Sequence, residues 1–296
     1  MVDDTNRSSS GVDERESSGR TRRRVLETTA ATTTGAVGLA VTGGTVSAGE
    51  VKDCKDWQVS PREYPTIDLT HDDPAPPERS EEELCIYVHG WKGQKQRGDQ
   101  AYTLDQALQE AGYDERIVAA SWDSDTLNFW DAESNADTAG VRLGRCLRQT
   151  MQGETNETVR AVGHSLGSRV VLAALAELEG DAALETVSLI GAAVTDDSVC
   201  TDGRYATGIR TSAENVYSYR SERDETVCTL YDFSTIGDGL GCEGADCGSW
   251  WSDGETPSNY FEVDVTESVP GHCKYFQHNR SYGCADRIVD DFDGSG

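Results

Sequence analysis

Five residues at positions 163–167, Gly-His-Ser-Leu-Gly, have the composition and spacing in this chain that best suit covalent chemistry. An apolar segment with strand-like composition, residues 158–162, precedes them, and a segment rich in Ala and Leu at helical spacing, residues 168–178, follows them. A serine on a sharp turn between a strand and a helix exposes its hydroxyl, and flanking side chains would obstruct that turn. Ser165 is therefore predicted to be a nucleophile. The turn around it consists of Gly163, His164 and Gly167.

A serine hydroxyl is a poor nucleophile until a base accepts its proton. Of the five histidines in the chain, His272 lies in a turn-like Val-Pro-Gly-His-Cys segment soon after the last predicted strand. The working residues of an open α/β sheet lie at the carboxyl ends of its strands, so this position favours His272 as the base. His278, in or near the next predicted helix, is the alternative.

A third group must orient the base and stabilise the imidazolium ion. Asp224 lies just after the predicted strand at residues 216–219, on a loop where the acid of such a triad is expected. The alternative acids are Asp196, Asp197 and Glu222.

The oxyanion that forms on attack needs preorganised N–H donors. The backbone N–H of Leu166, directly after the nucleophile, is predicted to be one of them. The loop after the predicted strand at residues 84–88 reads His-Gly-Trp-Lys-Gly, and its glycines allow the backbone to approach a substrate. The N–H of Trp91 in this loop is predicted to be the second donor.

Strand-like and helical segments alternate along the chain and must position these groups. The predicted strands are residues 84–88, 117–120, 158–162, 187–190, 216–219 and 260–265, and a short edge strand is expected around Ile67. The predicted helices are residues 101–111, 131–151, 168–178 and 284–292. This alternation predicts an α/β fold, with a mostly parallel sheet flanked by helices on both faces.

Two motifs and two later residues carry a resemblance to a known family. Tyr-Val-His-Gly-Trp at 87–91 and Gly-His-Ser-Leu-Gly at 163–167, followed by Asp224 and His272, resemble the α/β-hydrolase superfamily in the order serine, acid, histidine. The resemblance covers roughly residues 84–276, and the stretch from Ala120-Ser121-Trp122 through the long predicted helix to the turn at Ser165 is similar to a lipase- or esterase-like branch. It implies an α/β-hydrolase fold and acyl transfer to serine followed by hydrolysis, with no metal and no organic cofactor.

The chain departs from many members of that superfamily because it has no long apolar insertion that would form a large cap domain. Residues 236–258, which contain Trp250 and Trp251, are the candidate lid or acyl-binding segment. A surface loop pinned by disulfides is the alternative interpretation of the same residues.

The beginning of the chain has the composition of an export signal. Residues 21–26 match a twin-arginine motif, a weakly hydrophobic run follows, and Val-Ser-Ala at 46–48 offers a cleavage site. Residues 1–48 are therefore predicted to direct secretion through the twin-arginine export machinery, with an uncleaved membrane anchor as the alternative. Residues 49–83 are predicted to form a Pro-rich N-terminal arm, and residues 84–296 the α/β-hydrolase domain.

The chain is strongly acidic, with 53 Asp plus Glu against 26 Lys plus Arg and a net charge of −27. Such a surface repels itself at low ionic strength, and the acidic residues are spread along the chain, so we predict a salt-adapted, halophilic protein. A polyanion that binds basic partners is the alternative, although that role more often uses a clustered acidic tail. No basic stripe is present, which argues against nucleic acid as a partner.

All nine cysteines follow the predicted signal, and an exported protein is expected to pair most of them. Because nine is odd, at least one thiol is left over, and Cys85, within an apolar strand, is the candidate. Cys242 with Cys247 and Cys273 with Cys284 are two pairs that could each close a short loop, although the connectivity does not follow from the sequence. A zinc site built on Cys242, Cys247 and Cys273 is the alternative.

Three functional hypotheses follow from the sequence. The first is a secreted serine esterase or lipase acting on small-molecule or lipid esters, with transient contact to a lipid surface. The second keeps the same triad but makes the chain a peptidase, amidase, thioesterase or acyltransferase. The third is a non-catalytic, hydrolase-like binding protein, which would not react with an active-site serine phosphonate.

Overall fold

The computed structural model describes residues 54, 56–77, 83–152, 158–232, 238–248 and 254–294. The predicted export signal at residues 1–48 lies outside this part of the chain. Both tryptophans of the candidate lid, Trp250 and Trp251, also lie outside the described residues.

Seven strands and seven α-helices make up the regular structure of the described chain. The strands are β1 (Thr66–Asp68), β2 (Leu84–Val88), β3 (Arg116–Ser121), β4 (Val159–His164), β5 (Leu184–Ile190), β6 (Ala213–Arg220) and β7 (Tyr260–Asp264). The helices are α1 (Arg97–Glu110), α2 (Phe129–Met151), α3 (Leu166–Leu178), α4 (Ala206–Ser212), α5 (Glu225–Asp232), α6 (Leu240–Glu243) and α7 (Ala285–Phe292).

The strands form one sheet in the order β1-β3-β2-β4-β5-β6-β7, and every neighbouring pair is parallel. The strand order changes direction between β2 and β4, which pair side by side although β3 lies between them in sequence. Loops at the carboxyl ends of two such strands diverge and leave a crevice, which is the usual ligand site of an open α/β sheet. The predicted His-Gly loop follows β2 and the predicted nucleophile follows β4, so the fold brings both to this crevice.

Strand β2 shows how the sheet is covered on both faces. All five of its residues are buried, and successive side chains point to opposite faces of a strand. Leu84, Ile86 and Val88 join the core formed with α2 and α3, whereas Cys85 and Tyr87 join the core formed with α1 and α7. The continuous apolar run is therefore what a central parallel strand requires.

The structure confirms the predicted α/β class, with a parallel sheet flanked by helices on both faces; the ends of the predicted elements differ slightly, and helices α4, α5 and α6 were not predicted. The edge strand expected near Ile67 is present as β1 and pairs with β3. Helix α2 begins earlier than predicted because the Asn128 side chain accepts a hydrogen bond from the Asp131 N–H and caps the first turn. Strand β5 also begins earlier, at Leu184, because its first residues pair with β6.

No large cap covers the sheet within the described residues. The chain between β5 and β6 contains a short 3-10 helix and the seven-residue α4, and the chain between β6 and β7 contains α5 and α6. Of the helices in the part of the chain that the structure describes, none is long and apolar enough to cross a membrane.

The disulfides pair differently from the expectation. The bonds join Cys54 to Cys273, Cys200 to Cys247 and Cys228 to Cys242. Neither of the short loops considered from the sequence, Cys242 with Cys247 or Cys273 with Cys284, is formed, because proximity in sequence did not reflect proximity in the fold.

The three disulfides also decide which cysteines are free and whether the alternative zinc site can form. Cys85 is a buried free thiol, as predicted, and Cys146 and Cys284 are buried and free as well. Burial raises the pKa of the Cys85 thiol to about 12 and that of Cys146 to about 11, so neither is a reactive thiolate at neutral pH. The zinc site fails because all three cysteines proposed for it are in disulfides.

Helices α2 and α3 pack against each other closely enough to require glycine at the contact. A Cβ atom built on Gly140 would overlap the Ala173 side chain and lie 2.7 Å from the Val170 carbonyl oxygen. Helix α3 follows the predicted nucleophile directly, so this contact also holds the amino end of α3 in place.

Replacing Gly140 by alanine should destabilise the protein. The gain in helix propensity is about 1 kcal/mol, but the overlap with α3 forces a shift that typically costs about 1–3 kcal/mol. Chemical denaturation should therefore show a lower free energy of unfolding for Gly140→Ala. The matched control is Gly98→Ala in α1, where the nearest atom is the Tyr64 Cβ at 3.2 Å; it should be neutral or slightly stabilising. A Gly140→Ala variant more stable than the wild type would contradict the close packing.

Candidate active site

Ser165 lies on the turn between β4 and α3 in a backbone conformation that non-glycine residues rarely adopt. Its φ is 57° and its ψ is −125°. Such a conformation costs on the order of 1–3 kcal/mol and persists only where the surroundings enforce it. Two hydrogen bonds to the end of β5 do so here, because Ser165 N–H donates to the Ile190 carbonyl (3.0 Å) and Ala193 N–H donates to the Ser165 carbonyl (3.2 Å).

The flanking glycines are required by space. A Cβ on Gly167 would overlap the Val88 carbonyl group and lie 2.9 Å from the His89 carbonyl oxygen. A Cβ on Gly163 would lie 2.7 Å from the Ser168 Cα. The turn therefore packs backbone against backbone, which is the reason the Gly-His-Ser-Leu-Gly pattern points to this geometry.

Asp224 is the best-satisfied buried carboxylate of the site. It is fully buried, on the loop between β6 and α5. Its Oδ2 accepts hydrogen bonds from His272 Nδ1 (2.8 Å) and the Tyr275 hydroxyl (3.1 Å), and its Oδ1 accepts one from the Val227 N–H (3.1 Å). A buried carboxylate is costly without such donors. The bond to Nδ1 leaves the His272 Nε2 free to exchange a proton with a nucleophile.

The alternative base His278 and the alternative acids Asp196 and Glu222 contact other groups. His278 forms an ion pair with Glu110, with 3.0 Å between its Nδ1 and Oε2. The Asp196 side chain accepts a hydrogen bond from the Asp197 N–H, and burial raises the pKa of Asp196 to about 6. Glu222 is exposed and contacts Arg220. The geometry therefore favours Asp224 and His272 over the other candidates.

His164 connects the nucleophile turn to the loop that carries His272. Its Nε2–H donates to the His272 carbonyl oxygen (2.9 Å), and the centroids of the two imidazole rings are 4.7 Å apart. On the other side of the same crevice, a Cβ on Gly191 would lie 2.9 Å from Asp224 Oδ2. The Ser165 N–H donates a hydrogen bond to Ile190, the residue before Gly191. Ser165, His272 and Asp224 therefore lie close together at this edge of the sheet.

The His-Gly loop after β2 lies directly against the nucleophile. A Cβ on Gly90 would lie 2.7 Å from the Ser165 Cβ and 3.1 Å from its Oγ. His89 holds this loop in place. Its Nδ1–H donates to the Gly90 carbonyl (3.0 Å), and its ring stacks on the Trp122 indole, with 5.6 Å between the ring centroids. The Trp122 Nε1–H donates in return to the His89 carbonyl (2.8 Å).

Of the two predicted oxyanion donors, Leu166 directly follows Ser165 in the chain, and Trp91 follows Gly90, which packs on Ser165. Leu166 is the first residue of α3, where a backbone N–H has no intrahelical acceptor and the helix dipole favours negative charge. Trp91 follows Gly90 and is held by its side chain, which donates to the Thr126 hydroxyl (3.1 Å) and packs on Phe129. Lys92, with a φ of 59°, turns the chain away from the site immediately afterwards.

Part of this chain matches a known protein family. Residues 78–194 match the family described as "Putative serine esterase (DUF676)". The matched segment contains the His-Gly loop and Ser165, whereas Asp224 and His272 lie beyond it. A sequence comparison with curated proteins finds no match.

Solved structures with a similar fold have low sequence identity to this chain. Est1E from Butyrivibrio proteoclasticus is 13% identical with a TM-score of 0.40, covering 74% of this chain and 89% of its own. A lipase-esterase related protein from Clostridium acetobutylicum is 10% identical with a TM-score of 0.41, covering 75% and 97%. A cutinase from Trichoderma reesei is 16% identical with a TM-score of 0.32, covering 50% and 63%. At these values the likeness identifies neither reaction nor substrate.

Several residues around the site carry no signal in the sequence that could have identified them. The hydrogen bond from Tyr275 to Asp224 and the contact of Trp57 with the His164 ring, at 6.4 Å between centroids, both depend on the folded path of the loops. Trp122 was part of the family resemblance, but its hydrogen bond to His89 follows only from the pairing of β2 with β3.

Two cavities border the site. One of about 540 Å³ is lined by His272 together with Arg223, Pro270 and Lys274. The other, of about 400 Å³, is lined by Trp130, Val194 and Tyr231. His272 itself lines the larger cavity. Val194, which lines the smaller one, directly follows Ala193, whose N–H donates a hydrogen bond to the Ser165 carbonyl. Among the described residues, no group of three or more His, Cys, Asp or Glu side chains is placed to hold a metal ion.

Two buried histidines beside the nucleophile are neutral. Burial, followed by the neighbouring His272, lowers the pKa of His164 to about 3, and burial lowers the pKa of His89 to about 4. Neither imidazole therefore becomes a cation near neutral pH.

The two neutral histidines should make stability fall in mild acid. In the unfolded chain a histidine takes up a proton below pH ~6.5, whereas the folded protein admits none until about pH 4 at His89 and about pH 3 at His164. Each therefore stabilises the fold above pH ~6.5, and this contribution falls by about 1.4 kcal/mol per pH unit below it. Denaturation measured between pH ~6.5 and ~5 should show a steeper loss of stability for the wild type than for His89→Gln. His71→Gln, which removes an exposed histidine, should leave the slope unchanged, and equal slopes in all three proteins would refute the assignment.

Proposed function

We propose that this protein is a serine hydrolase that cleaves carboxylic esters through an acyl-enzyme. The observation that supports this most directly is the hydrogen bond from His272 Nδ1 to the buried Asp224, beside a strained serine on a strand-to-helix turn. The family match adds support for an ester as the substrate, since that family is described as serine esterases and the match includes Ser165.

In the proposed reaction, Ser165 Oγ attacks the acyl carbon while His272 Nε2 accepts the hydroxyl proton. Asp224 holds the Nδ1–H tautomer and stabilises the imidazolium ion. The N–H groups of Trp91 and Leu166 donate to the developing oxyanion. His272 then returns the proton to the departing alcohol oxygen, and a water molecule releases the acid from Ser165 by the same steps in reverse order. The reaction requires no metal and no organic cofactor.

The surroundings suit a small-molecule or lipid ester. The cavity of about 540 Å³ at His272 and the cavity of about 400 Å³ at Val194 offer space near the proposed site for the parts of an ester. Leu127 and Trp130, near the amino end of α2, are 90% and 45% exposed, and Trp130 lines the smaller cavity. Apolar side chains in such a position favour a lipid ester and transient contact with a lipid surface.

Labelling with a fluorophosphonate probe tests the proposed nucleophile. The wild type in concentrated salt should be modified at Ser165 and at no other serine, because an activated hydroxyl attacks phosphorus at a rate that an ordinary serine does not reach. Mass spectrometry of the digested protein identifies the modified residue. A folded wild type that takes up no label would favour the non-catalytic binding role.

Variants separate the triad from its neighbours. Ser165→Ala, His272→Ala and Asp224→Asn should each lower kcat for a p-nitrophenyl ester by about 10³-fold or more while leaving the circular dichroism spectrum unchanged. His278→Ala, which removes a histidine paired with Glu110, is the matched control and should keep nearly full activity. An inactive His278→Ala beside an active His272→Ala would overturn the assignment of the base. Turnover of amide or thioester substrates in preference to esters would replace the ester proposal.

We further propose that the protein is exported through the twin-arginine machinery and is adapted to concentrated salt. The residues that support export are the twin-arginine motif and the small residues at 46–48, and three disulfides agree with an oxidising compartment. Salt adaptation is supported by the excess of 53 acidic over 26 basic side chains.

Salt should stabilise the fold in spite of its ion pairs. Salt weakens pairs such as Arg220 with Glu262 and Asp264, but exposed pairs contribute only about 0–1 kcal/mol each. The repulsion within a net charge of −27 acts over the whole surface and is screened by the same ions. The melting temperature should therefore rise by more than about 10 °C between ~0.1 M and ~2 M KCl. A constant or falling melting temperature would contradict salt adaptation.

A further inference from the structure

The Pro-rich arm crosses the loop that carries His272. We call residues 54 and 56–60 the N-terminal strap. Cys54 forms a disulfide with Cys273, the residue directly after His272. Asp56 forms an ion pair with Lys274, one residue further along. The contacts therefore fall on consecutive residues of the loop.

Trp57 extends the strap over the next part of the same loop. Its indole stacks on the Phe276 ring, with centroids 5.1 Å apart and planes 12° apart. The same indole meets the His164 ring edge-on at 6.4 Å. It therefore touches both the loop of the proposed base and the residue that precedes the proposed nucleophile.

The strap is itself attached to a rigid helix. The Gln58 N–H donates to the Thr103 hydroxyl and the Ser60 N–H donates to the Asp99 carboxylate, both at 2.8 Å. Both acceptors are on α1, which packs on the sheet through Ala101, Leu104 and Leu108. Through the strap, the His272 loop is therefore attached to α1 and to the sheet, and its movement is restricted accordingly.

The loop needs such support because it has little regular structure. Strand β7 ends at Asp264, helix α7 begins at Ala285, and the described residues between them contain only turns, bends and irregular chain. Asp224 orients the imidazole of His272, and His164 holds its carbonyl oxygen. The strap fixes the backbone on the other side of His272, through Cys273.

We propose that the N-terminal strap is a positioning element for His272, with the Cys54–Cys273 disulfide as its covalent part. The proposal rests on the function proposed above. Proton transfer from Ser165 requires the imidazole within hydrogen-bond reach, and a displacement of about 1 Å can lower a rate by about 10²-fold. None of the strap residues takes a proton or contacts the reacting atoms. Cys54 and Asp56 also line the larger cavity, so a change of the strap is expected to act on KM as well, but loss of positioning should lower kcat by the larger factor.

Two matched disulfide variants test the covalent part in the full chain. Cys54→Ser with Cys273→Ser removes the bond beside His272, and Cys200→Ser with Cys247→Ser removes a bond between other segments. The first double variant should lower kcat for a p-nitrophenyl ester by about 10-fold or more, a larger factor than the change in KM, because Cys54 and Cys273 also line the larger cavity. The control should keep both constants within about twofold. Assays are run well below the melting temperature of each protein.

Trp57 tests the non-covalent part. Trp57→Phe keeps an aromatic ring on Phe276, and the indole N–H that it removes is buried without a hydrogen-bond partner among the described residues. Trp57→Ala removes the contact altogether. Trp57→Ala should lower kcat, and Trp57→Phe should restore most of the loss. The rate of fluorophosphonate labelling at Ser165 should fall by the same factor as kcat, since both need the base in place.

The outcomes distinguish this proposal from the proposed function. Wild-type kcat in the Cys54/Cys273 variant, or equal losses in both disulfide variants, would overturn the role of the strap. The proton shared by His272 and Asp224 provides a readout that does not need turnover, because it gives a far-downfield NMR signal that broadens when the imidazole becomes mobile. A signal that is sharp in the wild type and broad in the Cys54/Cys273 variant supports positioning by the strap. This holds even if the wild type proves inactive toward esters, an outcome that would contradict only the esterase function. An equally sharp signal in the variant contradicts positioning.

Discussion

The hydrogen bond between the fully buried Asp224 carboxylate and His272 joins loops that are 48 residues apart in sequence. A buried charge without partners would cost several kcal/mol, so the fold must deliver donors to both carboxylate oxygens. Tyr275 and the Val227 N–H complete the set. This requirement fixes where β6 ends, where α5 begins and how the loop after β7 returns across the sheet. The rest of the site is built around a contact that tolerates little displacement.

The second constraint is the distance between backbones at the point where the strand order reverses. Because β2 and β4 are neighbours, the loops that leave them meet, and Gly167 packs on the Val88 carbonyl while Gly90 packs on Ser165. Side chains at either glycine would separate the loops. Contact between the loops brings the His-Gly loop against Ser165, directly before the first turn of α3. Backbone therefore forms the wall of the crevice next to Ser165, and backbone groups are better preorganised than side chains.

The sequence predicted the features that depend on local interactions and not those that depend on contacts between distant parts of the chain. The turn at Ser165 and the strands around it are local patterns, so the period of apolar residues and two glycines sufficed to predict them. Asp224 and His272 required the strand order as well, since nothing in their own segments distinguishes them from other acids and histidines. The disulfides could not be predicted, because Cys54 and Cys273 are separated by 219 residues and their approach depends on the whole fold. The same holds for Trp57, whose partner ring lies near the opposite end of the chain.

The neutral histidines show why an extremely acidic surface is compatible with this site. A net charge of −27 acts on every histidine in the direction of a raised pKa, yet the pKa values of His164 and His89 are about 3 and about 4. Desolvation is the first cause in both cases and outweighs the attraction of nearby carboxylates such as Asp224 and Asp125. Surface charges act through water and counterions and are weakened within about 10 Å, whereas burial acts at the atom itself. The surface can therefore accumulate acidic residues while His164 remains a neutral donor to the His272 carbonyl.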